Sequence, residues 1–512
     1  MNPSSGKAKC AARAAMVTAA ITTLLLAAGC GFGGGGNGGG GGGGGNSGFS
    51  NASLKGQYAF TLRGIGTPDN LNSFFFVEAG VFTADGNGKL TSGTDDLVEN
   101  FTPFSDNITG VYAINSDGSG NVRFDFPSGG SALYRVTLSD ASHFYMEEAD
   151  GFGTSAGSGE KQDTSAFASV PSGTFVFQTH DLAAGNSKVG VTTWNAGQIT
   201  GTEDVLTGGV LLSPVSMSGT AAAPGSTTGR GTMTISDDTG TSSYIYYVVN
   251  SKKLRFLNAT AVSSLAIGQA EGQTVAPFSP ASLNGTYVFG SAGESFNVDG
   301  IHSVGLFTAD GTGNVAGGSF DTVQDGNPVT NISLNADSSY SVDASGRAVV
   351  TLHLSSGTTN QKVMYLVSPS RAYFLVNDPI NVEDGTLDRQ TGSPFSNGSM
   401  KGQYAFVMDG FDATAQFPYR DRVGTWTPNG SGSVSTSYRA SGFNPSFPPT
   451  GSFSDNTLSG TYSTGSSGRT TSAINGVSSN LILYMGSNNS GYILQADTGV
   501  DIGGAFVVQV EQ

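Results

Sequence analysis

The residues that could carry acid–base, nucleophilic or metal chemistry are few in this chain. Histidine occurs four times, at His143, His180, His302 and His353, and no two are close in sequence. A zinc site needs clustered His, Cys or carboxylate ligands, and an acyl-transfer site needs a motif such as the G-x-S-x-G elbow. No such ligand cluster occurs, and the single match to the elbow, "GTSAG" at 153–157, lacks the following helix that the elbow requires. We therefore predict no catalytic residue, no metal and no cofactor, and expect the histidines to be scattered surface or strand residues.

Two sets of aspartates recur at matching places and could supply ligand contacts or a general acid. One set follows a glycine by three residues: Asp96, Asp204 and Asp321. The other ends a paired apolar segment: Asp150, Asp378 and Asp497, with Thr260 nearest in the remaining copy. Glycoside hydrolysis would need two carboxylates about 5–10 Å apart, which sequence alone does not reveal. The favoured interpretation is solvent-facing carboxylates at turns and strand edges.

Asp-Gly sequences suggest calcium loops at first sight. They occur in "ADGNGK" at 84–89, "SDGSGN" at 116–121 and "ADGTGN" at 309–314. Calcium needs six to eight oxygen ligands, whereas each of these sequences offers one carboxylate. Asp-Gly followed by a second glycine is typical of tight hairpins, because glycine adopts positive φ at little cost. We therefore predict turns rather than metal sites.

The elements that must position these residues are repeated four times. "SLKGQYAF" at 53–60 returns as "VPSGTFVF", "SLNGTYVF" and "SMKGQYAF". The glycines at 56, 173, 285 and 402 are 117, 112 and 117 residues apart. Apolar and polar residues alternate in "QYAFTL", "VRFDF" and "VVTLHL", as in half-buried strands. We predict an all-β chain in which each repeat of about 112 residues forms an eight-stranded up-and-down antiparallel barrel. A two-sheet sandwich and paired propeller blades remain alternatives.

The repeats define the predicted domains. A signal peptide covers 1–29 and a glycine-rich tether 30–53, followed by β-repeats at 54–165, 166–277, 278–394 and 395–512. A phenylalanine precedes each repeat glycine by six or seven residues: Phe49, Phe167, Phe278 and Phe395. Such a fixed position predicts that the ring plugs the end of a barrel or the boundary between neighbours. Joints this short predict a stiff row of domains.

Composition agrees with this architecture and excludes one class of partner. The 512 residues are 12% charged, and the formal net charge is −16. The first 29 residues hold Lys7, Lys9 and Arg13 and no acid, so their removal would leave −19. Nucleic-acid affinity depends on Lys and Arg displacing counterions. We therefore predict no nucleic-acid partner.

The N-terminus carries a targeting pattern. A basic segment precedes the apolar run "AAMVTAAITTLLLAA" at 14–28, which is too short to span a bilayer but fits a secretory signal. Ala27, Ala28 and Gly29 then lead to Cys30. These residues resemble the lipobox of bacterial lipoproteins, which implies a lipid on Cys30 and cleavage before it. By the same resemblance, Gly31 favours the outer membrane over the inner one. Fourteen glycines within 31–48 predict a flexible tether.

These observations support three functions in decreasing order. The first is a non-catalytic, membrane-anchored surface lipoprotein that acts as a structural, adhesive or partner-binding rod. Its expected partners are the membrane, through Cys30, and an extracellular protein or glycan. The second is an envelope protein whose barrels hold small ligands, and the third is a secreted hydrolase. The repeats look similar to tandem all-β domains of exported bacterial lipoproteins, a likeness that implies no activity.

Overall fold

The computed structural model describes residues 48–67, 72–182, 186–260, 264–274, 276–295, 300–379, 381–446, 449–475 and 479–510. The predicted signal segment, Cys30 and the rest of the chain up to residue 47 lie outside the described residues. Strands form nearly all of the regular structure in these ranges. The short 3-10 turns are Asn51–Ser53, Thr164–Ala168, Pro280–Ser282 and Asn397–Ser399. No helix within the described ranges has the length and apolar character needed to cross a bilayer.

The strands of the first two repeats follow one another along the chain. Repeat 1 contains β1 (Lys55–Gly66), β2 (Phe74–Asp85), β3 (Lys89–Glu99), β4 (Thr102–Asn107), β5 (Thr109–Ile114), β6 (Ser119–Asp125), β7 (Ser131–Leu138), β8 (His143–Glu148) and β9 (Gly153–Lys161). Repeat 2 contains β10 (Gly173–Asp181), β11 (Asn186–Asn195), β12 (Gln198–Thr207), β13 (Val210–Ala221), β14 (Arg230–Asp237), β15 (Gly240–Asn250), β16 (Lys253–Asn258) and β17 (Ala266–Gly272).

The last two repeats have the same order. Repeat 3 contains β18 (Asn284–Ser295), β19 (Gly300–Asp310), β20 (Val315–Gln324), β21 (Asn327–Ser333), β22 (Ser339–Val342), β23 (Arg347–His353), β24 (Thr359–Ser368), β25 (Arg371–Val376) and β26 (Asn381–Arg389). Repeat 4 contains β27 (Tyr404–Asp412), β28 (Tyr419–Pro428), β29 (Ser433–Asn444), β30 (Thr450–Thr464), β31 (Arg469–Ile474), β32 (Ser479–Met485), β33 (Ser490–Gln495) and β34 (Val500–Val508).

Each set of strands is an antiparallel meander whose first strand pairs with its last: β1 with β9, β10 with β17, β18 with β26 and β27 with β34. Repeats 2 and 4 are closed eight-stranded barrels. In repeats 1 and 3 the fourth strand is divided in two, which gives nine segments. Repeat 3 is completed by short contacts such as Val315 N to Ser338 O at 3.0 Å. The predicted barrels are confirmed, and the sandwich and propeller alternatives are wrong.

Side-chain size explains how such narrow barrels are filled. The Phe60 ring lies across Gly80, where a Cβ atom would come within 2.5 Å of it. Phe289 and Gly305 repeat this arrangement at the same distance. An eight-stranded barrel is just wide enough for side chains to fill. The paired glycine therefore gives the aromatic ring the space it needs in the interior.

The phenylalanines at the joints close the barrels that follow them. Phe49, Phe167, Phe278 and Phe395 are each at most 6% exposed, and each belongs to the hydrophobic core of the next barrel. The predicted plug is confirmed, and it belongs to the barrel rather than to the boundary between neighbours.

The four barrels form a ring and not the predicted row. The first strands of each repeat pack against the last strands of the next, and β27 to β29 of repeat 4 pack in the same way on β7 to β9 of repeat 1. Val510 N donates to Ser139 O at 2.7 Å, as Asp163 N does to Val249 O at the first joint. The prediction of a row is wrong because the joints are short and equivalent, so each one sets the same angle between neighbouring barrels. Four such steps complete a closed cycle.

The glutamine that closes each repeat fixes this geometry. Its amide donates to a backbone carbonyl of the next barrel: Gln162 to Val248 O at 2.6 Å, Gln273 to Leu366 O at 2.9 Å and Gln390 to Met485 O at 2.7 Å. Gln509 donates to Leu138 O of repeat 1 at 2.6 Å. The contact from the fourth repeat to the first therefore uses the same bond as the three contacts between consecutive repeats.

The ring has two different faces because all four barrels point the same way. The joint face carries the starts of the first strands, the ends of the last strands and the phenylalanine plugs. The distal face is the opposite one. It carries the hairpins β3–β4, β12–β13, β20–β21 and β29–β30, and Gly499 N of repeat 4 donates there to Gly326 O of repeat 3 at 2.7 Å.

Candidate functional site: the seams and the axial cavity

Three of the four barrel contacts are built on buried apolar side chains. The first seam includes Val77, Val81 and Tyr247, the second Val189, Leu206 and Tyr365, and the third Val288, Val304 and Tyr484. Residues from two neighbouring repeats contribute to each cluster. Burial of apolar surface stabilises each contact in proportion to its area. These seams hold the ring together.

Each apolar seam also contains one buried ion pair with a tyrosine. Asp204 accepts hydrogen bonds from Arg347 Nε and Nη2, both at 2.8 Å, and from Tyr365 OH at 2.7 Å. The same arrangement joins Asp96 to Arg230 and Tyr247, and Asp321 to Arg469 and Tyr484. The three aspartates are 0% exposed. The prediction that this set faces solvent is therefore wrong, since the carboxylates lie between barrels.

The contact of repeat 4 with repeat 1, which we call the closing seam, has a different chemistry. Arg439 takes the place of the recurrent aspartate, because it lies opposite Val423 as Asp321 lies opposite Val304. Arg439 donates to Gly120 O of repeat 1 at 3.2 Å. The seam includes the polar side chains Arg135, Glu147, Thr154, Asp421 and Ser441. An aromatic contact between Phe75 and Tyr419 also crosses it. The ring is therefore closed mainly by polar contacts.

Two carboxyl groups of the closing seam favour the neutral form. Burial raises the pKa of Glu147 well above its usual range, and the nearby Asp421 raises it further. Burial likewise raises the pKa of Asp421, and Asp409 adds to the effect. Thr154 donates to Asp421, and Thr154 and Ser441 share a hydrogen bond of 2.6 Å. Deprotonation of either carboxyl group would leave a negative charge buried inside the closing seam.

A cavity of about 340 Å³ lies where the four barrels meet. One position of the first strand, three residues after its inward phenylalanine, lines it in every repeat: Arg63, His180, Ala292 and Asp409. Structurally equivalent places thus carry four different side chains. We call this space the axial cavity.

The polar wall of the axial cavity consists of paired charges. Arg63 donates to Asp409 from Nε at 3.0 Å and from Nη2 at 2.7 Å, which joins repeat 1 to repeat 4. Burial favours the neutral form of Asp409, but Arg63 and His302 outweigh this effect and lower the pKa of the carboxyl. The pKa of Asp409 is therefore shifted down, whereas that of Asp421 on the neighbouring strand is shifted up.

Both histidines of the cavity are oriented by an aspartate of another segment. His180 Nδ1 lies 2.5 Å from Asp384 of repeat 3, and His302 Nδ1 lies 2.7 Å from Asp501 of repeat 4. Burial opposes a charge on His302, but Asp501 outweighs it and raises the pKa of the imidazole. Both rings are 8% exposed, and this pairing leaves Nε2 as the nitrogen available to a ligand.

The apolar wall of the cavity is aromatic. The Tyr419 ring packs edge-on against Phe411, with centroids 5.3 Å apart, and against Phe75 of repeat 1 at 5.9 Å. Ile65 and Leu182 extend this wall. The axial cavity therefore offers one apolar side and one side rich in hydrogen-bonding groups.

The barrel interiors, by contrast, are filled. The pocket inside barrel 2 measures about 30 Å³, which is room for roughly one water molecule. Barrel 3 encloses Lys362, whose Nζ lies 4.3 Å from the Phe289 centroid and 4.5 Å from that of Phe374. Burial lowers the pKa of Lys362 to about 8. No described barrel offers a space comparable with the axial cavity.

The other predicted residues lie in structural roles. Asp85 accepts from Asn87 N at 2.7 Å and Lys89 N at 3.0 Å, so turn formation occupies its carboxylate as predicted. Asp497 accepts from Asn480 N at 3.1 Å, and Thr260 takes the equivalent place on Ser243 N.

The remaining members of these sets belong to the same turns and strand ends. Asp378 and Asp150 follow β25 and β8, and Asp150 accepts from Phe152 N at 3.0 Å. His143 pairs with Asp140 at the surface, and His353 contacts Thr359. None of these residues lines the axial cavity.

The sequence did not predict that His180 and His302 line the same cavity. All four histidines were expected to be scattered, and for these two that prediction is wrong. They occupy different strands of different repeats, so comparison of the repeats does not align them. One signal existed: the otherwise regular first strand carries Arg, His, Ala and Asp at a single position.

Within the described ranges, no group of three or more His, Cys, Asp or Glu residues could hold a metal ion. No protein-family model matches the chain, and no curated protein matches its sequence. Its function is therefore inferred from its residues and their arrangement.

Proposed function

We propose that this chain is a non-catalytic, lipid-anchored protein of the bacterial cell envelope that binds a protein or glycan partner. The lipid is carried by Cys30, and the outer membrane or the cell surface is the proposed location. A four-barrel ring takes the place of the rod that the repeats suggested. The glycine-rich tether leads to the joint face at Phe49, whose amide donates to Ser116 O.

The two-faced ring is the observation that carries this proposal. Since the tether and all joints belong to the joint face, the distal face is turned toward possible partners. Three of its hairpins carry exposed apolar side chains: Val210 at 58%, Val329 at 48% and Phe453 at 55%. Exposed apolar groups grouped on one face are typical of interaction sites.

A non-catalytic role is supported by the engagement of the acidic groups. Asp409 and Asp421 lie directly opposite each other on β27 and β28, and their pKa values are shifted in opposite directions. A hydrolase could use such a pair. Here Arg63 holds Asp409 with two hydrogen bonds, and Thr154 donates to Asp421. Both carboxyl groups serve the contacts between repeats 1 and 4.

The anchor is tested by replacing Cys30 with alanine in the full chain. We expect loss of acyl-lipid labelling and release from the membrane fraction, because covalent lipid supplies the membrane affinity. Cys10→Ala is the matched control and should stay labelled and membrane-bound, because Cys10 lies in the leader that is cleaved from Cys30. Continued membrane retention of the Cys30→Ala protein would contradict the proposed anchor.

Partner binding is tested with the released Cys30→Ala protein on intact envelope fractions. We expect binding that is lost on substituting Phe453→Ser and Val210→Ser together. Val111→Ser is the control, since Val111 is 45% exposed on β5 of repeat 1, outside these hairpins. Equal binding by the hairpin variant and the control would contradict a role for the distal face.

A further inference from the structure

The axial cavity has the size and lining of a small-molecule site, which the packed barrels do not provide. Its volume of about 340 Å³ falls in the usual range for such sites, about 300–1,000 Å³. All four repeats contribute to its lining. We propose that the axial cavity binds a neutral, polyhydroxylated small molecule of the saccharide class. This inference rests on the proposed binding function but is independent of the lipid anchor.

Charge balance in the cavity argues against an ionic ligand. Arg63 is paired with Asp409, His302 with Asp501 and His180 with Asp384. Arg420, the remaining cationic side chain of the lining, lies 3.7 Å from Asp412. A charged ligand would lose its hydration without meeting an uncompensated opposite charge, which is costly in a partly enclosed site.

Hydrogen-bonding groups that remain in the cavity suit hydroxyls. His302 lines the cavity and is 6% exposed, and its Nε2 has no hydrogen-bond partner among the described residues. This nitrogen donates when the ring is protonated and accepts when it is neutral, and a hydroxyl can serve either state. Asp421 also lines the cavity, and burial raises the pKa of its carboxyl, which favours the form that can donate a hydrogen bond. Such groups suit a ligand that both donates and accepts hydrogen bonds.

The aromatic wall suits the C–H face of a sugar ring. Phe75, Phe411 and Tyr419 meet edge to face, so their rings are held at fixed angles by one another. Rigid aromatic surfaces provide large contact area at a small cost in side-chain entropy. A pyranose combines an apolar C–H face with hydroxyls on its edge. That combination matches the aromatic wall on one side and the paired charges on the other.

The test uses sugars that differ in charge and little else. The Cys30→Ala protein is titrated by calorimetry with glucose, galactose and mannose, and then with the corresponding uronic acids and amino sugars. We expect at least one neutral sugar to bind at millimolar concentration or below. Its acidic and basic counterparts should bind about tenfold more weakly, which corresponds to a loss of roughly 1.4 kcal/mol in binding free energy.

Variants link the binding to the cavity. Asp409→Asn leaves Arg63 uncompensated, so this variant should bind the uronic acid better than the neutral sugar. Phe411→Leu keeps an apolar side chain but removes the ring, and should weaken the neutral sugar about tenfold. Asp125→Asn is the control, because Asp125 pairs with Arg123 outside the cavity lining. Thermal melts confirm that each variant is folded before titration.

The possible outcomes are distinct. Failure of all neutral sugars to bind the folded protein would overturn the proposal, as would equal binding of a charged counterpart. Binding unaffected by Phe411→Leu would also overturn it, because the ligand would then lie elsewhere, even if Asp409→Asn failed to fold. Neither result affects the envelope-binding experiment, which depends on the distal hairpins.

Discussion

Removing one arginine should weaken the ring at a single seam. Arg347 crosses from repeat 3 to Asp204 of repeat 2 and donates two hydrogen bonds of 2.8 Å to its carboxylate. The Arg347 side chain is 21% exposed, while Asp204 is 0% exposed. Arg347→Met keeps most of the aliphatic contact and leaves the carboxylate with Tyr365 and Ser213 as partners. The perturbation therefore isolates an unpaired buried charge.

The expected cost follows from that burial. Removing one partner of a buried ion pair costs about 3–5 kcal/mol. Because water reaches the Arg347 side of the pair, we expect a smaller cost than this range, about 2–3 kcal/mol. Asp204→Asn in the same chain removes the charge that was left unpaired. The double variant should therefore recover about 1–2 kcal/mol relative to Arg347→Met.

Urea titrations of the parent and the variants give the free energies of unfolding, and from these both the cost of Arg347→Met and the recovery in the double variant are obtained. Arg123→Met is the control, because Arg123 and Asp125 form an ion pair of the same type with side chains 28% and 39% exposed. Pairs at the surface contribute about 0–1 kcal/mol. The reasoning is refuted if Arg347→Met costs no more than Arg123→Met, or if adding Asp204→Asn restores nothing.

Three further predictions concern buried groups. Glu147→Gln should stabilise the ring relative to the parent, increasingly so as pH rises above about 4.5, because the pKa of Glu147 is raised from that value in the folded protein and its stabilising contribution at acid pH is lost as pH rises; parallel unfolding curves at all pH values would contradict this. Lys362→Met should be more stable than the parent at neutral pH, because the pKa of Lys362 is lowered from 10.5 to about 8 by burial. The parent should therefore gain stability between about pH 8 and pH 10.5, and the variant should not. Equal slopes of the free energy of unfolding against pH in that interval would contradict this. Phe278→Ala should cost about 3–5 kcal/mol in urea titrations by emptying the end of barrel 3, whereas Phe453→Ala, at 55% exposure, should change the free energy of unfolding by less than about 0.5 kcal/mol.

The barrels could be predicted from sequence because their signals are local. Alternating strands, Asp-Gly turns and a repeated first strand specify an antiparallel meander, and pairing of the first and last strands follows. The ring could not be predicted in this way. It depends on where Gln162, Gln273 and Gln390 find carbonyl partners, and those carbonyls are 86 to 95 residues away. The recurrence of glutamine was visible, but the angle that it sets between barrels was not.

The axial cavity could not be predicted, for a related reason. Comparison of the repeats draws attention to the residues that they share. This site depends on one equivalent position at which the residues differ: Arg63, His180, Ala292 and Asp409. Asp96, Asp204 and Asp321 were recognised as a set, but their arginine partners lie 134 to 148 residues further along the chain. Only the closed ring brings either group together.

Closure of the ring has a consequence for association between copies. Peptide segments connect the first three pairs of neighbouring barrels, whereas repeats 4 and 1 meet through non-covalent contacts, such as the hydrogen bonds of Val510 N to Ser139 O and of Gln509 to Leu138 O. When this contact opens, the terminal barrel of one molecule can dock on the leading barrel of another, as in heterologous assembly. Intramolecular closure is favoured by the high effective concentration of linked groups. A high concentration of molecules reduces that advantage, so it would favour open coils of linked molecules over isolated circles.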